Sequence, residues 1–172
     1  GIVGGGQMGS GIAHVVALGG YDVAINDVAK ERFDSALAAI TKNMSRQVSS
    51  GKISEEDRDK ALNRISFAET FQDFSDVDLV VEAATEDETI KRKIFAEAEA
   101  KAKPEAILAT NTSSIELERI AEGMTSPARL IGLHFFNPVA QLPLVEVIRS
   151  TFNTDAEIGK GAAFALAIGK SP

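Results

Sequence analysis

A glycine-rich turn near the start of the chain constrains the fold more than any other stretch. Its pattern is Gly4-x-Gly6-x-x-Gly9, and it follows the apolar residues Ile2 and Val3. In a strand–turn–helix unit, the first glycine permits a sharp reversal, the second lets a pyrophosphate approach the backbone, and the third lets the helix lie against the strand. The amino terminus of that helix would then hold the phosphates. The pattern alone is a weak indicator, because a glycine turn can be merely tight.

An acidic residue in the next predicted strand strengthens the dinucleotide interpretation. The segment 21–27 is typical of a strand that ends in Asp27, about 20 residues after the glycine turn, where a carboxylate accepts hydrogen bonds from the adenosine ribose. This carboxylate would repel the 2′-phosphate of NADP, and no arginine occurs in the segment 28–31, so NAD is the predicted cofactor. The alternative is that Asp27 caps the helix that follows it.

Apolar segments alternate with amphipathic ones along the rest of the chain. This alternation predicts an α/β fold, a doubly wound and mostly parallel sheet of the Rossmann type, whose ligands bind beyond the carboxyl ends of the strands. The predicted strands are 65–67, 78–82, 106–109, 130–134 and 144–148, and the predicted helices are 87–101, 116–122 and 155–168.

A long segment after the second strand predicts an inserted helical hairpin. Apolar residues recur at three- and four-residue steps over 29–51, and a second helix with capping-box residues covers 54–63. The hairpin either covers the sheet or projects over the site, where it would touch substrate. Spacing does not separate the two interpretations. The residues that would make such contacts are Lys42, Arg46 and Lys52.

Composition excludes several other functions. With 172 residues, 44% of them hydrophobic, the chain can form one domain with a substantial core. Its net charge of −7 argues against a nucleic-acid or membrane partner. The sequence has 0 cysteines and 2 histidines, so no disulfide and no metal site is predicted. No apolar run approaches the roughly 20 residues that span a bilayer, and we expect a cytoplasmic location.

A histidine and a glutamate in successive predicted strands are candidates for acid–base chemistry. His134 ends an apolar strand, and Glu146 lies between Val145 and Val147, where a charge should not be buried without a partner. If the two strands are neighbours, the turn between them brings Glu146 to the imidazole. A buried pair of this kind fixes the ring tautomer and favours the protonated ring, as a general base near neutral pH requires. The alternative is a structural salt bridge at a sheet edge.

Polar residues follow the predicted strand 106–109. The segment 111–114 could supply amide and hydroxyl groups to a ligand, but Ser113 or Ser114 could equally cap the helix that begins near Glu116. Spacing alone favours the helix cap.

Glu86 and Lys91 lie near the start of a predicted helix, where charged residues are by default solvated. His14 lies among valines of the first helix, where it is a packing residue or a neighbour of the cofactor. We assign His14 no chemistry.

Together, these residues resemble the L-3-hydroxyacyl-CoA dehydrogenases, which include the 3-hydroxybutyryl-CoA dehydrogenases and the matching part of bacterial fatty-acid oxidation multifunctional proteins. The resemblance runs in order through nearly the whole chain. His-Phe-Phe-Asn-Pro followed by Leu-Val-Glu-Val is far more specific than the glycine pattern. The matching stretches are 4–13, 80–83, 111–114, 134–138 and 144–147.

The resemblance implies an NAD-dependent oxidoreductase that interconverts (S)-3-hydroxyacyl-CoA and 3-oxoacyl-CoA in fatty-acid or butanoate metabolism. His134 would remove the 3-hydroxyl proton, Glu146 would orient it, and Ser113 would bond the substrate oxygen, which outweighs the preference for a helix cap. Asn137 would join Ser113 and His134 in binding substrate. The implied cofactor-binding residues are Gly4, Gly6, Gln7, Met8, Gly9, Asp27, Glu86, Lys91 and Asn111.

In this family an asparagine from a second, all-helical domain completes the active site, and that domain forms most of the dimer interface. We expect residues 1–168 to be the NAD-binding domain, with a truncated first strand, and residues 169–172 to begin a linker to such a domain. A longer protein with both domains would be a homodimer. This chain alone is expected to bind NAD but to turn over acyl-CoA poorly.

Two other functions fit parts of the sequence. One is a dehydrogenase of a free hydroxy acid or sugar acid, but those relatives use a lysine base from a second-domain helix, and His134 with Glu146 argues against them. The other is a non-catalytic binding or structural protein, like the lens crystallins of this family. The presence of Ser113, His134 and Glu146 disfavours it.

Overall fold

The structure, a computed structural model, describes residues 1–112 and 114–172. Its strands are β1 (Ile2–Val3), β2 (Val23–Asn26), β3 (Ile65–Phe67), β4 (Leu79–Glu82), β5 (Ile107–Thr110), β6 (Leu130–Phe135) and β7 (Val145–Ile148). Its helices are α1 (Gln7–Leu18), α2 (Lys30–Ser49), α3 (Glu55–Asn63), α4 (Glu88–Lys101), α5 (Leu117–Ile120) and α6 (Asp155–Ala167). Short 3₁₀ turns cover Phe71–Phe74, Ala121–Gly123 and Pro127–Arg129.

The seven strands form one sheet in the order β3-β2-β1-β4-β5-β6-β7. Every neighbouring pair is parallel except β6 and β7, which are antiparallel. The chain moves outward from β1 to one edge and then returns to the other side of β1 through β4. This reversal creates the switch point at which such sheets bind ligands. The predicted doubly wound, mostly parallel sheet is confirmed.

Two apolar cores lie on the two faces of the sheet. One contains Ile12 and Val16 of α1, Ile40 of α2 and Ala165 of α6. The other contains residues of α4 and α5, with Phe95 fully buried at its centre. The helices therefore cover both faces, and the polar residues that follow the strands are left at the carboxyl edge.

The predicted helical hairpin after β2 is also present. The apolar stripe of α2 buries Phe33, Ile40 and Met44 against the sheet. Helix α3 is charged and buries Ala61. The Ser54 hydroxyl caps it by accepting a hydrogen bond from the Asp57 N–H at 3.0 Å, which is one half of the predicted capping box.

Several predicted boundaries differ from the structure by a residue or two, and one helix is shorter than expected. The predicted helix 116–122 is α5 over Leu117–Ile120, followed by a 3₁₀ turn over Ala121–Gly123. A tight 3₁₀ turn often ends a helix, and spacing alone does not reveal it. None of the helices in the described part of the chain is long and apolar enough to cross a membrane.

The last residues pack onto the loop between β6 and β7. The Val145 N–H donates to the Ser171 carbonyl at 2.9 Å, and the Ser171 N–H donates to the Pro143 carbonyl at 2.8 Å. The Lys170 ammonium donates to the carbonyls of Val139 and Leu142 at 2.5 and 2.8 Å. Residues 169–172, the predicted start of a linker, are therefore in contact with the segment that follows the candidate base.

Truncation of the central phenylalanine of the α4 core should be costly. Phe95→Ala is expected to lower the free energy of unfolding by about 3–5 kcal/mol, because a fully buried ring leaves a cavity. Phe152, whose side chain is 43% exposed, provides the matched control, and Phe152→Ala should cost about 1 kcal/mol or less. Urea unfolding would measure both changes. Equal losses in the two variants would contradict the assignment of the core.

Candidate functional site

The glycine turn between β1 and α1 is shaped by two close backbone approaches. Gly4 has a φ of +103°, and a Cβ there would lie 2.7 Å from the Ala84 Cα. A Cβ on Gly9 would lie 1.8 Å from the Gly4 carbonyl oxygen. Such distances exclude a side chain, so these two glycines are required for α1 to lie against β1 and β4.

Gly6, the second glycine of the pattern, faces open space. A Cβ on Gly6 would meet nothing within 4 Å in the part of the chain that the structure describes. Gly6 is also the N-cap residue of α1, so the first backbone N–H groups of this helix point towards that space. The turn therefore fits the pyrophosphate of a dinucleotide, which these N–H groups and the helix dipole would hold.

A cleft of about 500 Å³ opens at this turn. It runs between the start of α1, the outer part of α2 and the loop after β6. Its lining residues include Gly5, Gly6, Gln7, Ser10, Gly11, His14, Asn43, Asn137, Pro138 and Val139. The cleft thus joins the predicted phosphate site to Asn137, a predicted substrate-binding residue.

The carboxylate of Asp27 reaches the glycine turn. Its Oδ2 accepts a hydrogen bond from the Gly5 N–H at 2.7 Å, and its Oδ1 accepts one from the Val28 N–H at 2.7 Å. The N-cap residue of α2 is Ala29, and among the described residues no side chain caps this helix. The alternative prediction that Asp27 caps α2 is therefore wrong, and its contact with ribose stays a prediction.

A second cavity, of about 230 Å³, lies where β4 and β5 end. Within it, the Glu86 Oε2 accepts hydrogen bonds from the hydroxyls of Thr112 at 2.7 Å and Ser114 at 2.9 Å. Burial alone would raise the pKa of Glu86, but these bonds, with Lys91 and His134 adding to them, hold that pKa below its usual value. The lining residues are Met8, Ala83, Ala84, Thr85, Glu86, Lys91, Asn111 and Thr112.

The structure corrects the default interpretation of Lys91 as a solvated charge. Its side chain is 1% exposed, and its ammonium lies 2.5 Å from the Oε1 of Glu82, which is 0% exposed. Glu86 is exposed, as expected. Sequence reasoning missed Glu82, which stood out only as an acid at the end of an apolar strand. Its partner is nine residues away on α4, so periodicity gave no sign of the pair.

His134 and Glu146 lie directly opposite each other in the antiparallel β6–β7 pair. The imidazole Nδ1–H donates to the Glu146 Oε1 at 2.9 Å, and within residues 1–112 and 114–172 the other ring nitrogen, Nε2, has no hydrogen-bond partner. The ring of Phe136 packs at 4.6 Å from the imidazole and restricts its orientation. The expectation of a buried pair is wrong for Glu146, whose side chain is 51% exposed, because β7 is an edge strand with one open face.

Of the other predicted site residues, Asn111 has a structural contact, since its Oδ1 accepts the Phe135 N–H at 2.8 Å and ties the ends of β5 and β6 together. Ser113, a predicted catalytic and substrate-binding residue, lies outside the described residues. The Ser114 hydroxyl bonds Glu86 and does not cap α5, whose N-cap residue is Glu116. The prediction of a Ser114 cap is therefore wrong.

Two further predictions concern α1 and α2. His14 is 2% exposed and its Nε2–H donates to the Gln47 Oε1 at 2.7 Å, which joins the two helices. Lys42 and Arg46 line an open cleft of about 500 Å³ on the outer side of α2. Whether the hairpin only covers the sheet or also touches substrate stays a prediction. Across residues 1–112 and 114–172, no group of three or more His, Cys, Asp or Glu side chains is placed to hold a metal ion.

A glycine turn open to a helix amino terminus, an acidic residue at the end of β2 and a switch point beside β1 define a dinucleotide-binding domain of the Rossmann class. The family model of the NAD-binding domain of 3-hydroxyacyl-CoA dehydrogenase matches residues 1–172. The chain therefore belongs to the NAD-binding domains of the 3-hydroxyacyl-CoA dehydrogenases. The cofactor of this family is NAD, as predicted.

Individual relatives agree with this assignment. The 3-hydroxybutyryl-CoA dehydrogenase of Bradyrhizobium diazoefficiens is 49% identical over 170 residues, which are 99% of this chain and 58% of the relative. The fatty acid oxidation complex subunit alpha of Pseudomonas putida is 37% identical over 99% of this chain and 24% of its own length. The crystal structure of (S)-3-hydroxybutyryl-CoA dehydrogenase PaaH1 from Ralstonia eutropha superposes with a TM-score of 0.96, at 35% identity, over 99% of this chain and 60% of that one.

Alanine at two glycines of the turn should affect two different properties, the stability of the fold for Gly9 and the affinity for NADH for Gly6. Gly9→Ala is expected to lower the free energy of unfolding by about 1–3 kcal/mol, because its Cβ meets the Gly4 carbonyl. Gly6→Ala should leave stability within about 0.5 kcal/mol, but should weaken NADH binding by about tenfold, because the methyl group occupies the phosphate space. Urea unfolding and NADH fluorescence titration would measure the two effects. An unchanged NADH affinity in Gly6→Ala would place the pyrophosphate elsewhere.

His14 should make the folded chain less stable in mild acid. Burial lowers the pKa of His14, the bond to Gln47 opposes this, and the nearby Lys170 ammonium reinforces it. The unfolded chain, with a pKa of about 6.5, then takes up a proton that the folded chain does not, so this stability is complete above that pH and is lost as pH falls through the folded pKa. Between pH 7.5 and 5.0, the stability of His14→Gln should therefore fall less than that of the unaltered chain. Parallel falls, measured by urea unfolding, would contradict the assignment.

Proposed function

We propose that this chain is the NAD-binding part of an enzyme that interconverts (S)-3-hydroxyacyl-CoA and 3-oxoacyl-CoA. The chain covers 58% of the length of the Bradyrhizobium relative, and the proposed activity is that of a longer protein in which this domain acts with a second one. The relatives' names support an acyl-CoA substrate and a role in fatty-acid or butanoate metabolism.

The observation that carries this proposal is the pair formed by His134 and Glu146 at the carboxyl edge of the sheet. The two residues face each other in the β6–β7 register, and their side chains bond at 2.9 Å. They lie on the same edge as the glycine turn and the Glu86 cavity. A base oriented by a carboxylate beside a dinucleotide site is the arrangement that alcohol oxidation requires.

The proposed reaction moves one proton through His134. In the oxidising direction, the Nε2 lone pair accepts the proton of the 3-hydroxyl group, and the C3–O bond becomes a carbonyl as a hydride leaves C3. When bound, NAD supplies the acceptor for that hydride. In the reducing direction, protonated His134 returns the proton to the oxygen.

Glu146 is proposed to orient the base and to stabilise its charged form. Its Oε1 accepts the Nδ1–H of His134, so the lone pair lies on Nε2, and the carboxylate is close to the imidazolium that forms on proton transfer. The Phe136 ring packs against the imidazole and limits its rotation. These contacts hold one ring orientation before substrate arrives, which reduces the entropy lost in reaching the transition state.

The remaining predicted residues complete the proposed site. Ser113 would bond the substrate oxygen and Asn137, in the cleft at the α1 turn, would contact the substrate. Glu86, Lys91 and Asn111 would lie along the nicotinamide side of the cofactor. Their places around the cavity at the ends of β4 and β5 support this assignment.

Three finer statements stay predictions. They are the cytoplasmic location, the homodimer formed through a second domain, and the domain boundary at residue 168.

The proposal is tested by NADH oxidation driven by acetoacetyl-CoA, in the longest protein that contains this chain. His134→Gln should lower kcat by about a thousandfold, because general acid–base catalysis contributes about 10²–10⁴. Its NADH affinity should stay within about twofold of the unaltered protein, because the imidazole is not a predicted cofactor contact. Glu146→Gln should lower kcat by less, and Glu97→Gln, the same change on the exposed face of α4, should leave kcat unaltered.

Three outcomes would contradict parts of the proposal. Turnover by His134→Gln that equals the unaltered protein would exclude His134 as the base. NADH binding without reduction of acetoacetyl-CoA or of longer 3-oxoacyl-CoA substrates would favour the non-catalytic alternative. Near-normal turnover by these 172 residues alone would contradict the expected need for a second domain.

A further inference from the structure

The carboxylate of Glu82, at the end of β4, is fully buried and fully hydrogen-bonded. Its Oε1 accepts the Lys91 ammonium at 2.5 Å and the Thr110 hydroxyl at 2.7 Å. Its Oε2 accepts the backbone N–H groups of Ala84 at 2.8 Å and Thr85 at 3.3 Å. Two donors on each oxygen compensate for the cost of removing the charge from water.

These four donors belong to three elements that meet at the nicotinamide end of the proposed site. Ala84 and Thr85 form the loop after β4, which lies against the glycine turn, 2.7 Å from the position of a Gly4 Cβ. Thr110 ends β5, and Lys91 lies on α4. A single carboxylate therefore sets the relative positions of the loop, the strand end and the helix.

Three of the groups held by Glu82 also line a ligand-sized space. Lys91, Ala84 and Thr85 are walls of the 230 Å³ cavity, as are Met8 and Asn111. An ammonium has three N–H donors, and within the described residues the Lys91 ammonium uses one of them, on Glu82. Its other donors are available to a polar group in the cavity.

Stability alone does not explain a buried ion pair at this place. Replacing such a pair by apolar residues of similar volume is often neutral or stabilising, because desolvation offsets most of the attraction. What an apolar pair would not do is hold an ammonium at a defined point beside a cavity. The pair is better explained by the orientation of Lys91 than by the energy of the core.

We propose that Glu82 is a positioning residue for NAD that acts through Lys91, which its Oε1 holds while its Oε2 holds the loop Ala84–Thr85. Its buried carboxylate fixes the Lys91 ammonium where the nicotinamide half of the cofactor binds. This inference rests on the proposed placement of the cofactor beside Lys91. Glu82 touches neither cofactor nor substrate, so its effect is indirect.

A double-mutant cycle on NADH affinity tests the inference. Lys91→Met and Glu82→Gln should each weaken NADH binding by about tenfold, as loss of a hydrogen bond to a charged group does. In the Lys91→Met background, Glu82→Gln should change NADH affinity by less than about threefold, because the group through which it acts has been removed. Fluorescence titration of NADH would give the four affinities.

The melting temperatures of the same four proteins, measured without cofactor, separate positioning from a general loss of structure. Glu82→Gln should lower Tm, because it leaves the Lys91 ammonium buried without its counter-charge, and the double variant should recover part of that loss. Asp78→Asn with Lys103→Met is the matched control. This exposed ion pair lies at the opposite end of β4, and its removal should leave NADH affinity unaltered.

A second pair of variants keeps the test decisive if Glu82→Gln does not fold. Thr110→Val removes the hydroxyl that donates to the Glu82 Oε1 and leaves both charges in place. It should weaken NADH binding, whereas Thr110→Ser, which retains the hydroxyl, should restore it to within about twofold of the unaltered chain. Equal weakening by valine and serine would overturn the inference.

The outcomes of the cycle are distinct from those of the proposed function. If Lys91→Met leaves NADH affinity unaltered, the placement of the cofactor beside Lys91 is wrong. If Lys91→Met weakens binding and Glu82→Gln weakens it by the same factor in both backgrounds, the placement stands but Glu82 does not act through Lys91. Nearly full loss of the Glu82 effect in the Lys91→Met background supports the inference.

Discussion

The rest of the structure depends on the close contact between α1 and the glycine turn. The Gly4 carbonyl occupies the space where a Gly9 side chain would lie, and the loop after β4 occupies the space where a Gly4 side chain would lie. This contact sets the angle at which α1 leaves the sheet and thus where its free N–H groups point. Asp27 and the β4 loop then pack around the same turn, so the cofactor site and the centre of the sheet share one set of backbone contacts.

Two carboxylates at the carboxyl edge of the sheet have different surroundings and different proposed roles. Glu82, on the central strand β4, is enclosed by four donors and is 0% exposed, which suits a group that fixes its neighbours. Glu146, on the edge strand β7, is 51% exposed and bonds one imidazole. A carboxylate open to solvent can support a ring that gains and loses a proton, because water and the open face adapt to the change in charge.

Local sequence patterns predicted most elements of the fold, but they did not predict contacts between distant segments. The glycine pattern, the apolar strands and the stripe of α2 each depend on residues a few positions apart, so their periodicity is visible in one dimension. The burial of Lys91 was missed because it depends on Glu82 and on the packing of α4. The exposure of Glu146 was missed because it depends on β7 lying at an edge, although its pairing with His134 was expected if the two strands were neighbours, as they are.

The sequence by itself determined the order of strands and helices, the glycine turn and the chemical types at each strand end. Only the tertiary structure decided which of those strand ends meet and which charged side chains are buried away from water. The physical reason is that backbone geometry and side-chain spacing act locally, whereas desolvation and ion pairing depend on every element packed around a group. Asp27 illustrates both, since its position in the chain predicts a ribose contact, whereas only the structure shows that it bonds Gly5 and that Ala29, not Asp27, is the N-cap residue of α2.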